Sequence, residues 1–149
     1  MSLVVENAGE VAAALDRLAE MLGDFQDLAG DKLKVGMHKA LLHLAGQAAK
    51  YPPAPSGSTY RRTGTLGRRW TNSQPTVEFG GSGAFVAGRI GNNTVYGPWV
   101  QGAETQAAVH QGRWDTTDQI LAKNQQAIKG ILDDAGGGIV ATLAEEVET

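Results

Sequence analysis

Apolar positions recur at helical spacing toward both ends of the chain and alternate in its middle. Val11, Leu15, Leu18 and Leu22, with Phe25 beyond them, step by four and three, the seam of an amphipathic helix. Asp16, Arg17 and Glu20 fall off that seam. Asn7 followed by Glu10 has capping-box spacing, and Gly23 and Gly30 predict where this first helix stops. Asp31 is placed to cap a second helix with Leu33, Met37, Leu41, Leu44 and Ala48 on one face. Pro52 and Pro53 end it, because proline donates no backbone hydrogen bond and pushes the preceding residue extended.

In the middle, Val77 and Phe79 share one strand face, and Ala84, Val86, Gly88 and Ile90 share another. Gly80-Gly-Ser-Gly83 between them predicts a hairpin. Asp115-Thr-Thr-Asp118 supplies a cap for a last long helix with Ile120, Asn124, Ala127, Ile128, Ile131 and Ala135 along its seam. Gly136-Gly-Gly138 is expected to loosen it, at about 1 kcal/mol per glycine relative to alanine. Ile139, Val140, Leu143 and Val147 add a short stripe before the acidic Glu145, Glu146 and Glu148, read as a frayed, solvated end.

The pattern predicts an α+β fold: a small antiparallel, hairpin-based sheet packed with two N-terminal helices and one long C-terminal helix. A chain of 149 residues fits a single domain. Residues 1–50 are helical, 51–62 a projecting loop, 63–102 a β-rich centre and 115–149 the C-terminal helix. The loop is stiffened by the prolines of Tyr51-Pro-Pro-Ala-Pro55, and Thr63-Gly-Thr-Leu-Gly67 reads as a turn feeding a strand. Tyr96-Gly-Pro-Trp-Val-Gln-Gly102 reads as one helical turn, opened by Pro98 and closed by Gly102, presenting Tyr96 and Trp99.

Charge sharpens this picture. The formal net charge is −3, yet no Asp or Glu lies between Lys32 and Val77, where Lys32, Lys34, Lys39, Lys50, Arg61, Arg62, Arg68 and Arg69 all fall. Such segregation suits self-association, positive face to negative face, or contact with nucleic acid. The absence of cysteine excludes disulfides and thiolate metal sites. No apolar run approaches the ~18 residues that span a bilayer, and Glu6 and Glu10 interrupt any secretory lead, so a soluble intracellular product is expected.

Candidate chemistry is sparse. His38 and His43 are five apart, about 140° around a helix, and do not form the i,i+4 zinc pair. The Gly64–Gly67 loop lacks the Walker lysine, and Gly80–Gly83 breaks the hydrolase elbow because Ala84 stands where its last glycine belongs. Gln106, His110 and Trp114 lie on a polar connection, where a lone histidine makes a structural hydrogen bond more often than it catalyses. No catalytic residue, metal or cofactor is expected. The expected functional surface is a protein interface made of Tyr51, Tyr60, Arg61, Arg62, Arg68, Arg69, Tyr96, Trp99 and Gln101.

An ordered set of residues carries a resemblance. Tyr51-Pro-Pro53, Tyr60, Arg62-Thr-Gly-Thr-Leu66, Arg69-Trp70, Gly91-Asn92, Tyr96, Pro98, Val100-Gln-Gly102, Gln106, His110 and Trp114 together resemble the neck or tail-completion (minor tail) protein family of long-tailed bacteriophages and prophages. The match spans residues 51–117. Gly97 departs from it, since family members often carry alanine there, and the triple glycine at Gly136 has no counterpart. The resemblance implies a virion structural protein without catalysis, assembled in the host cytoplasm and joining head to tail, in a ring around the DNA axis. Its implied partners are other neck, connector and tail proteins and further copies of itself, with genomic DNA passing nearby. It implies no membrane and no small-molecule substrate. The alternative class is a nucleic-acid-binding module using residues 32–77, whose arginines would contact phosphates while Tyr60 or Trp70 stacks on bases.

Overall fold

The computed structural model describes residues 8–79 and 86–147, so Asn7, the Gly80–Gly83 turn, Ala84 and Glu148 lie outside the described residues. The chain order is α1 (Ala8–Ala48), α2 (Thr65–Thr71), β1 (Thr76–Phe79), β2 (Val86–Arg89), α3 (Gly97–Gln101), a 3-10 turn (Ala108–His110), α4 (Thr117–Lys123) and α5 (Gln125–Val147). This is an α+β fold with a long C-terminal helix and one antiparallel hairpin sheet.

The two helices expected at the N-terminus are one continuous helix, α1. Gly23 and Gly30 lie within it. A glycine inside a helix costs about 1 kcal/mol, less than a fresh break with its unpaired backbone groups. Asp31 therefore sits mid-helix, and the stop comes after Ala48, just ahead of the two prolines. At the other end the outcome is reversed. Thr116 caps α4 with a full capping box, its hydroxyl accepting from Gln119 N while the Gln119 side chain accepts from Thr116 N. Asn124 then interrupts the helix, and α5 starts at Gln125. Asn124 Nδ2 donates to Ile120 O at 2.8 Å, which leaves Oδ1 to accept from His43 Nε2 at 2.9 Å. Beyond that joint α5 runs unbroken through Gly136, Gly137 and Gly138.

Helices α1 and α5 run antiparallel as an arm. They approach closely at Gly36, where an added Cβ would stand 2.7 Å from Ala135 Cβ. Further along, Lys32 Nζ donates to Gly138 O at 3.1 Å. The hairpin pairs Val77 with Gly88 and Glu78 with Ala87. It lies against α1, where a Cβ on Gly88 would collide with Met37 and Leu41. The core sits at the other end of α1, in a head where Ala48, Leu66, Trp70, Val100, Trp114 and Ile120 pack together.

Thr63–Gly67 does not feed a strand. Gly64, at φ 72°, turns the chain into α2, and Leu66, Gly67 and Trp70 are buried on its inner face. Only glycine takes that left-handed conformation freely. Trp70 Nε1 donates to Gln101 Oε1 at 2.8 Å, and Gln101 Nε2 donates to Ala48 O at 2.9 Å. That bridge ties α2, α3 and the end of α1 into one unit.

Candidate interaction site

The site grows outward from Tyr51, the first aromatic after α1. Its hydroxyl accepts from Gly67 N at 3.0 Å, and its ring meets Trp114 edge-on at a centroid distance of 5.0 Å. Trp114 is buried because Gln106 fastens its segment, donating from Nε2 to Val100 O and to Trp114 O. Arg62 lies over both rings, 5.6 Å from the Tyr51 centroid and 5.4 Å from that of Trp114, within cation–π range. It also donates to the carbonyl oxygen of Pro52, which folds the proline loop back toward the head.

Around this floor rise the rim residues. Helix α3 is opened by Pro98 and closed by Gly102, the single turn expected, and it presents Tyr96 and Trp99. Trp99 is 62% exposed and Tyr60 76% exposed. Val95 and Val109 stand exposed on neighbouring turns. The enclosed cavity measures about 430 Å³, within the roughly 300–1,000 Å³ of small-molecule sites. Tyr51, Tyr60, Arg62, Tyr96, Trp99 and Trp114 supply its aromatic and cationic walls, with His110 and Arg113 on one side. None of the lining residues is acidic. Among the described residues His110 Nδ1 is buried with no hydrogen-bond partner, its ring edge-on to Trp114.

Of the nine residues expected at an interface, the fold brings Tyr51, Tyr60, Arg62, Tyr96 and Trp99 to this cavity. Gln101 is placed otherwise: at 4% exposure it is inside, spent on the Trp70 and Ala48 bonds, and offers no surface. Arg61, Arg68 and Arg69 are exposed but do not line the cavity. Arg69 instead borders a shallow basin with Asn72, Ser73 and Gly91–Asn93. The segment 51–62 is not a freely projecting loop, since Tyr51 and Arg62 are held in the head. His110, Arg113 and Trp114 join the site from what reads in sequence as a polar connection; the i,i+4 step from Gln106 to His110 to Trp114 was the available signal.

Among the described residues no His, Cys, Asp or Glu cluster is arranged to hold a metal, and no helix is long and apolar enough to cross a membrane. Compared with protein-family models, curated proteins and solved structures, the chain gives no match.

Proposed function

We propose that this chain is a structural virion protein of a tailed phage or prophage, joining head to tail by protein–protein docking, as a subunit of a ring around the DNA axis. The observation that carries this reading is convergence. Tyr51, Tyr60, Arg62, Tyr96, His110 and Trp114 carry the resemblance from separate stretches of the chain, and all of them line one cavity beside the exposed Trp99. Exposed tryptophan and tyrosine next to arginine is the composition of interface anchors, and a patch of this kind on a small domain marks a place where another surface sits. Nucleic-acid binding by residues 32–77 has less support, because Lys32 reaches Gly138 O and Arg62 is held by Pro52 and two rings.

The test is genetic and visual. Deleting the coding sequence from the phage or prophage that carries it should yield lysates with filled heads and separate tails under the electron microscope. Wild-type protein supplied in trans should restore joined particles, and Trp99→Ala should not. Joined, infectious particles from the deletion would refute the reading.

A further inference from the structure

The charge segregation, scattered in sequence, becomes axial in the fold. The head, residues 50–113, carries seven Lys or Arg against two Asp or Glu. The far part of the arm is the reverse. Residues 8–31 of α1 carry six acids and Arg17 as the one base, and residues 133–147 of α5 carry four acids and no base. Asp16, Glu20, Asp27 and Asp31 are exposed there. The antiparallel contacts of Gly36 with Ala135 and of Lys32 with Gly138 fix the direction of α5, away from the head. Its 23 residues span about 34 Å, so Val147 ends far from the cavity.

We propose that the cavity formed by Tyr51, Arg62, Tyr96, Trp99, Arg113 and Trp114 receives the acidic arm tip of a second copy of this chain, centred on Leu143, Glu145, Glu146 and Val147. The occupant follows from complementarity. The walls are aromatic and cationic with no acid among them, which calls for a guest with apolar side chains between carboxylates. The stretch Leu143-Ala-Glu-Glu-Val147 has that composition. A chain does not fill its own cavity, because its arm tip lies at the opposite end. The contact is therefore head-to-tail, the heterologous kind that closes into rings or runs on as filaments. A carboxylate guest also brings acceptors to Arg113 and to the buried edge of His110. This inference rests on the docking reading above and names one of its partners.

Mass photometry and sedimentation of the full chain at low and high salt provide the test. Wild type should self-associate at low salt and weaken at least tenfold at high salt, as screened ion pairs do. A head variant, Trp99→Ala with Arg113→Glu, and an arm variant, Glu145→Lys with Glu146→Lys, should each stay monomeric with unchanged helical circular dichroism. Mixed in equal amounts, they should form dimers and stop there, since only one intact cavity and one intact arm tip meet. Wild type that stays monomeric near millimolar concentration at low salt overturns the inference. So do variants that associate as wild type does, or a mixture that remains monomeric. If self-association ignores these residues while Trp99→Ala still blocks head–tail joining, this inference fails and the docking reading stands. If joining survives both the deletion and Trp99→Ala, the docking reading fails whatever self-association shows.

Discussion

Gln101 and Arg62 show how single side chains hold the head in shape. Gln101 satisfies an indole N–H and a helix-terminal carbonyl at once, in a region from which water is excluded. Gln101→Leu keeps the volume but strands both groups, and should cost about 2–4 kcal/mol in urea unfolding, at one to three per stranded group. Arg62 acts by a different route, its guanidinium lying over two rings while donating to a backbone carbonyl. Arg62→Ala should lower stability by roughly 1–2 kcal/mol and loosen the proline loop, seen as faster amide exchange across residues 52–60. Lysine should rescue only part of this, because it lacks the planar fork that lies over both rings and bonds Pro52 at once.

At the scale of elements, the glycines divide by what stands beside them. An added Cβ at Gly136 or Gly137 meets nothing within 4 Å, so these positions carry the entropic penalty of glycine with no packing reason for it. Gly136→Ala with Gly137→Ala should stabilise α5 by up to about 1 kcal/mol each, measured as a higher thermal midpoint. Gly36 is the opposite case. Gly36→Val would drive a branched side chain into Ala135 and should destabilise by about 1–3 kcal/mol, because α1 and α5 must separate to admit it. These two outcomes also explain the helix boundaries. The apolar seam and the prolines made both long helices legible in sequence, but an interior glycine reads the same whether it ends a helix or merely weakens one. Only the neighbouring helix decides, and its distance is not written in local sequence. The break at Asn124 was hidden for a related reason: its side chain turns back to Ile120 O and out to His43, a partner 81 positions away.

For the whole molecule, the separation of a core-bearing head from a two-helix arm sets the remaining expectation. Trp99 is exposed, so Trp99→Ala should change the unfolding free energy by no more than about 0.5 kcal/mol, the range of ordinary surface substitutions. The same change should weaken binding to a docking partner at least thirtyfold, about 2 kcal/mol, as an interface anchor does. A calorimetric melt beside a binding titration checks both halves. A large loss of stability would place Trp99 in the core of the fold and remove it from the surface argument.

Periodicity and turn chemistry by themselves determined that the chain is helical at both ends, has a hairpin in its middle and carries one short turn between Pro98 and Gly102, because these depend on neighbours within a few residues. They also supplied most of the aromatic set around the cavity. Tertiary structure alone decided that Gln101 faces inward, that Trp114 and His110 leave their polar stretch to wall the cavity, and that Arg62 is held between rings. It alone turned an acid-free stretch of sequence into one end of a polar molecule. Each of those outcomes depends on which distant segment packs alongside, and that is set by burying Trp70, Trp114 and Leu66 together rather than by any local pattern.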